Sequence, residues 1–411
     1  QELLLVRDTQ GKEEKEEKEE NDPFQRVYRS ELIKNLCSYI HKVHVAGPCY
    51  VNFADCSPLA GRRTVREYLF ALKTGQEEMA RFVQEDYRAS SMKERLLLSE
   101  ENLSYRVLAA LYDGEMLKLE ERQKENEKEL VEGGQGEEKR AAEEKGAEEE
   151  KRAGEEERGE KEKRVVEEKN FTKVWFPHTQ VCISKDEHYV LAAKGGHNGE
   201  NHNHNDVGSL ILYKEGRPFL IDLGVETYSR KTFSPERYDI WTMQSQFHNL
   251  PTFASLDEIK GAEEGDKEAM ERVKRGMQKP GTMYRAKEVL YEAGTASASL
   301  SMELSSAYEL PGLISYRREI THYRGKGVRI CDTYQGKEPC VLTLMSREEP
   351  SWDGREFLKL GDLGSIRLSG AGKIVVETYP IQDARLGRMW KGQVYRILIE
   401  RKEGELIAFC S

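Results

Sequence analysis

The apolar positions of this chain change their spacing once, and that change divides it. Up to Gly114 they recur at helical intervals. "RSELIKNLCSYIHKVHV" sets Leu32, Ile33, Leu36, Ile40 and Val43 on one stripe, the spacing by which a helix buries one face. "VREYLFALKTGQEEMARFVQEDY" and "SYRVLAALYDG" repeat the habit, with Gly114 as the predicted stop. Between the first two runs lies "AGPCYVNFADCSP", bounded by Gly and Pro and too polar for a core helix. From Val174 the grammar is different. "HYVLAAKGG", "GSLILYKEGRPFLIDLG", "GVRICDTYQGKEPCVLTLMS", "GKIVVETYP" and "QVYRILIERKEGELIAFC" are short β-branched or aromatic runs parted by Gly turns. "KEG" recurs between them as a hairpin signal. A helical period returns only in "DKEAMERVKRGM". The pattern predicts an α+β multidomain chain, helices first and a large antiparallel β-sandwich after.

The two parts are separated by a Glu/Lys/Arg tract. Residues 121–170 hold 19 acidic and 13 basic side chains, a net −6, which leaves −4 of the formal −10 for everything else. The tract can form i, i+4 pairs but has no apolar stripe to dock, so it reads as a solvated, dispensable insertion without chemistry. The expected domains are 1–114, 115–170 and 171–411. With the tract set aside, no basic field favours nucleic acid. The seven cysteines, at 37, 49, 56, 182, 331, 340 and 410, are odd in number and lack any CxxC pair, which argues against a disulfide framework or a thiolate zinc site. No run reaches the length of a membrane span. "QELLLV" has no basic flank and is not a signal peptide; it reads as the middle of a helix.

The candidate chemistry lies in "GGHNGENHNHNDVGSLILY". In a strand His202 and His204 would share a face. "PFLIDLG" places Asp222 at the end of an apolar strand, where an unpaired carboxylate is costly. "QFHNLPTF" then adds His248. Two imidazoles and a carboxylate suit zinc, with a fourth position for water or substrate. The competing reading is a set of core histidines satisfied by hydrogen bonds. His197 reads as a polar loop residue, and His41, His44, His178, His188 and His322 as ordinary ones.

"NHNHNDVGSLILYKEGRPFLIDLGVETY" followed by "SPERYDIWTMQSQFHNLP" resembles the β-sandwich half of the heparinase II/III family of polysaccharide lyases, whose hallmarks are H-x-H-x-D-x-G-S, a strand ending in Asp-x-Gly, and a later His-Asn. The resemblance covers roughly residues 170–411, and "YVNFADCSP" looks like the last segment of the family's helical part. It implies a partial N-terminal (α/α) toroid followed by the sandwich, and cleavage of uronate-containing polysaccharide by β-elimination. It implies one zinc ion on His204, Asp222 and His248. It also implies a catalytic histidine, which His202 matches, and a toroid tyrosine, for which Tyr50 is the candidate. A free phenol has a pKa of about 10, so Tyr50 suits the acid more readily than the base. Tyr228, Arg230 and Arg237 are placed to meet the sugar carboxylate or sulfates, as the planar guanidinium fork suits oxyanions. Asn249 could orient His248 or the substrate. The implied partner is an acidic polysaccharide, heparan sulfate-like or alginate-like. The implied location is the cell envelope, periplasm or exterior, with the cytoplasm as the alternative because the sequence shows no targeting signal.

One departure bears on activity. The family's upstream Glu-Gly motif with its nearby Tyr is not found before Tyr28. The expectation is therefore a chain that begins inside the toroid, a fragment or a shortened member. The alternative function is a non-catalytic carbohydrate-binding protein with a structural zinc. A zinc hydrolase would want a Glu base as in HExxH, and the sequence has none.

Overall fold

The computed structural model describes residues 23–61, 64–96, 102–117, 171–402 and 404–411. The acidic-basic insertion expected at 115–170 lies, beyond residue 117, outside the described residues, as does "QELLLV". The described chain divides into two compact units. One holds residues 23–48 and the described part of 61–117; the other holds 49–60 with 171–411. The expected boundary at 114 therefore misses one exchange, since the short stretch 49–60 belongs with the sheets.

The first unit is helical: α1 (Pro23–Arg29), α2 (Glu31–Val43), α3 (Val65–Thr74), α4 (Glu77–Arg88), α5 (Met92–Arg95) and α6 (Leu103–Leu117). A capping box between Thr64 and Glu67 opens α3, and Gly75 in the left-handed region closes it. Tyr68, Ala71, Met79, Val83, Tyr87 and Met116 form its core. Two details differ from the sequence reading. In α2 the inward face carries Cys37 and Val43, while Leu32 and Leu36 are exposed. The helix "SYRVLAALYDG" does not stop at Gly114 but runs on to Leu117, because burial of Met116 draws the last turn into the core.

The second unit is built from antiparallel sheets. Five strands form a meander: β1 (Thr172–Phe176), β2 (Val181–Lys185), β3 (Tyr189–Lys194), β4 (Leu210–Lys214) and β5 (Arg217–Leu220). The β4–β5 turn uses the expected "KEG", with Glu215 and Gly216 both at positive φ, the backbone that matches the twist of a tight hairpin. A four-stranded sheet contains β6 (Pro251–Thr252), β11 (Val341–Ser346), β15 (Ala371–Pro380) and β16 (Gln393–Arg401), in the order β15-β16-β11-β6. The largest sheet has eight strands: β7 (Lys287–Ala293), β8 (Ser297–Glu303), β9 (Leu313–Tyr323), β10 (Gly327–Gly336), β12 (Pro350–Trp352), β13 (Phe357–Leu360), β14 (Gly364–Ser369) and β17 (Glu405–Cys410).

All three sheets feed one core. Leu191, Leu210 and Leu212 from the meander, Leu342, Leu344, Ile397 and Ile399 from the four-stranded sheet, and Leu300, Tyr316, Ile320, Ile330 and Leu406 from the eight-stranded sheet pack together. This is the predicted sandwich. Alternation along the strands sends Val341 and Leu398 to the other face, where they meet the helices α7 (Leu256–Glu263) and α8 (Lys267–Gly276). The sequence pattern signalled α8; α7, opened by a Ser255/Glu258 capping box, escaped it. Between Lys231 and Phe247 the chain runs through four 3-10 turns rather than strands. No helix among the described residues is long and apolar enough to cross a membrane.

Candidate active site and metal centre

The histidine motif is a loop. Residues 199–209 have no strand, and His202 stands in the left-handed region at φ 59°, a conformation that is strained for a side chain of its size. The shared strand face expected for His202 and His204 is therefore replaced by a different arrangement. Both rings converge on Asp55, which sits in the short stretch 49–60 of the same unit. His202 Nδ1 lies 3.0 Å from Asp55 Oδ2, and His204 Nε2 lies 3.1 Å from Oδ1. Arg237 Nη2 donates to Oδ1 at 2.5 Å, and the Tyr228 hydroxyl donates to Oδ2 at 3.2 Å.

The stretch 49–60 is held to the sheets by an Asn side chain and by a close backbone approach. Asn52 Nδ2 donates to the Asp222 carbonyl at 3.0 Å. Gly224, the glycine of Asp-x-Gly, has φ +72°, and a Cβ there would stand 2.5 Å from the Cys56 carbonyl. Only glycine lets the chain after β5 pass so close.

Four donors on one carboxylate fix its charge. Burial works to raise the Asp55 pKa, but the bonds from His204, Arg237 and His202, with the charge of Arg237, hold it well below the usual carboxylate range. A charged carboxylate only accepts. His202 therefore donates from Nδ1, and in its neutral form has its lone pair on Nε2. Burial lowers the His204 pKa, so that ring donates from Nε2 and keeps its lone pair on Nδ1. The two rings then diverge: the His202 side chain is 63% exposed and the His204 side chain is fully buried.

Beneath Asp55, His204, Asp222 and His248 are all buried, and one donor atom from each lies within 4.8 Å of the others. His248 Nδ1 bonds Asp222 Oδ2 at 3.0 Å, and Asp222 Oδ1 accepts the Gly224 N–H at 2.9 Å. Burial opposes charge on both groups, but their mutual attraction wins, raising the His248 pKa and lowering that of Asp222. Among the described residues, His204 Nδ1 and His248 Nε2 are buried with no hydrogen-bond partner. Such orphaned atoms are costly, and a cation bound between them would remove the cost. The donor set of two imidazoles and a carboxylate is one that zinc accepts. The motif's aspartate is engaged elsewhere: Asp206 Oδ1 pairs with the buried Lys194 ammonium at 2.7 Å.

This loop, strand end and His-Asn pair fall inside a sequence match. Residues 169–343 match the family described as heparinase II/III-like, C-terminal. That region is a heparinase II/III-like C-terminal domain. Among solved structures, the chain is similar to a heparinase III gene product, at 14% identity and a TM-score of 0.42, over 59% of this chain and 36% of that one. It is also similar to heparan sulfate lyase HepC from Pedobacter heparinus, at 13% identity and a TM-score of 0.41, over 92% of this chain and 55% of that one. The chain thus spans well under two thirds of either protein. No curated protein matches it.

The other sequence candidates in and around the heparinase II/III-like domain occupy varied positions. Tyr50 is buried, its N–H donating to the Pro58 carbonyl at 2.8 Å. Tyr228 is exposed, with its hydroxyl on Asp55. Arg230 is exposed on the turn that follows. Arg237 is the keystone, since Nε also donates to the Asn203 carbonyl at 3.1 Å and Nη1 to the Thr232 carbonyl at 3.1 Å. Asn249 is buried and faces backbone. Its Nδ2 donates to the carbonyls of Leu210 and Ile221 at 2.8 and 3.1 Å, and its Oδ1 accepts the Met345 N–H at 2.8 Å. It ties β4, the chain just after β5, and β11 together beside the His204, Asp222 and His248 group.

Two residues of this site carried no signal in the sequence pattern. Asp55 lies inside "YVNFADCSP", where nothing in its neighbours marks it. Arg385 places its guanidinium 4.7 Å from the centre of the Tyr228 ring and donates to the Asp55 carbonyl at 3.0 Å.

Proposed function

We propose that this protein is a polysaccharide lyase that cleaves uronate-containing polysaccharide by β-elimination. The observation that carries the reading is that two exposed side chains, His202 and Tyr228, share one oxygen of an ionised Asp55. β-Elimination needs a base for the C5 proton and an acid for the leaving C4 oxygen, both within hydrogen-bond reach of one sugar linkage. The lone pair left on His202 Nε2 takes the proton. The C5–H electrons form the C4–C5 double bond as the C4–O bond breaks, and the Tyr228 hydroxyl turns from Asp55 to give its one proton to the departing oxygen. Charge that builds on the uronate carboxylate meets the Arg385 guanidinium beside Tyr228. In this reading Tyr228 takes the acid role for which the sequence nominated Tyr50, because Tyr228 combines exposure with contact to Asp55.

A zinc ion, when bound, would supply a fixed cationic anchor for His204, Asp222 and His248. The full burial of those three residues supports a structural part for it, holding the loop that presents His202. The same burial equally suits the alternative, a carbohydrate-binding protein without catalysis. Ultraviolet absorbance of unsaturated uronate separates the two. The full-length gene product, loaded with zinc, should release it from heparan sulfate, heparin or alginate. Absence of product from all of these uronate polymers would remove the lyase reading.

A further inference from the structure

We propose that Phe233 is a stacking platform for one sugar ring of the acidic saccharide, next to the ring that meets His202 and Tyr228. The proposal rests on the lyase reading and names a substrate contact within it. Phe233 is 71% exposed, a large apolar ring left in water where burial would be favoured. Its ring centre lies 5.3 Å from that of Tyr228, with the planes at 71°. Phe233 therefore continues the exposed surface that begins at the Tyr228 ring.

The turn that carries it is fixed. Thr232 is buried, its N–H donating to the Ser229 carbonyl at 3.1 Å and its hydroxyl accepting the Ser229 N–H at 3.0 Å. Ser234 Oγ donates to the Lys231 carbonyl at 3.0 Å. Arg237, which holds Asp55, donates to the Thr232 carbonyl at 3.1 Å. One guanidinium thus sets both the carboxylate under His202 and the turn under Phe233. A ring presented rigidly loses little entropy when a ligand covers it.

The ligand class follows from the surroundings. Arg230 and Lys231 precede Phe233 on the same turn, and Arg385 stands over the Tyr228 ring. An exposed aromatic ring on a turn that also carries cations suits a ligand with a flat apolar face and an anionic rim. A uronate or sulfated sugar ring has both.

The test is calorimetric binding of heparan sulfate and alginate oligosaccharides to the zinc-loaded full-length protein, comparing wild type with Phe233→Ala and Phe233→Trp. Phe233→Ala should weaken binding about tenfold or more, the loss expected for one apolar ring no longer covered. Phe233→Trp should retain affinity, and melting temperature should not move in either variant because the side chain is exposed. Wild-type binding that Phe233→Ala leaves unchanged would overturn the platform alone. Failure of the wild type to bind any of these saccharides would overturn the reading of the site along with it.

Discussion

His202 Nδ1 and Asp55 Oδ2 lie 3.0 Å apart across 147 residues of sequence. The other oxygen of the same carboxylate holds His204. Asp55 therefore orients an exposed imidazole and a buried one at once. A carboxylate that fixes the tautomer of a metal-binding histidine commonly governs metal affinity. Asp55→Asn should lower zinc affinity by about 10–100-fold, read by competition with a chelator. Unchanged affinity would mean that His204 does not depend on Asp55.

Tyr228→Phe removes one hydroxyl from an exposed ring. Stability should change by less than about 0.5 kcal/mol, and zinc should be retained. Lyase activity of the full-length protein should fall by about 10²–10⁴-fold. A variant with full activity would return the acid role to another residue, Tyr50 first among them.

The loop and the His-Asn pair are braced from the far sheet. Arg318, buried on β9, forms a two-pronged pair with the buried Asp332, Nε to Oδ1 and Nη2 to Oδ2, both at 2.7 Å. Its Nη1 donates to the carbonyls of Gly208 and Asn249 at 3.0 and 2.6 Å. Arg318→Met would strand the Asp332 charge and should cost about 3–5 kcal/mol in urea unfolding. Adding Asp332→Leu should recover a large part of that loss. No recovery would place the cost in the lost carbonyl contacts rather than in the stranded charge.

His322 reads from sequence as an ordinary histidine, and it is a satisfied core residue. It bonds Ser184 Oγ through Nδ1 at 2.8 Å and Asp186 Oδ2 through Nε2 at 3.0 Å. Burial works to raise the Asp186 pKa, but the His322 bond and the N–H groups of Gly325, Tyr189 and His188 outweigh it and hold the group well below the carboxylate range. A depressed carboxylate contributes stability above its unfolded value of about 3.9. That contribution fades as pH falls toward the folded value. Asp186→Asn should melt lower than wild type at pH 7, with the gap closing below about pH 4. A gap independent of pH would contradict the assignment.

How much of this was legible in the sequence depends on the distance over which each signal acts. Hairpin chemistry and strand alternation are local, so the sandwich and the β4–β5 turn were readable from a few residues. The grouping of His204, Asp222 and His248 came from motif resemblance, and the fold places donor atoms of all three together. Asp55 was invisible because its partners lie 147 to 182 residues away and nothing local marks it. Arg385 is further still, reaching Asp55 across 330 residues. His202 and His204 do not share the strand face that a period of two would give them, and the reason is local. Asn- and Gly-rich sequence favours left-handed backbone, and His202 adopts it, so the two rings part where a strand would have aligned them.

The central claim is that the two histidines of "NHNHND" do different work around one carboxylate. Metal content by atomic spectroscopy, measured on His204→Ala and His202→Ala beside wild type, tests it without any substrate. His204→Ala should lose zinc, together with the folding energy that the site contributes. His202→Ala should keep zinc and melt close to wild type. Equal loss in both would make His202 a ligand and end its role as the base, and zinc retained by both would remove the metal centre from His204.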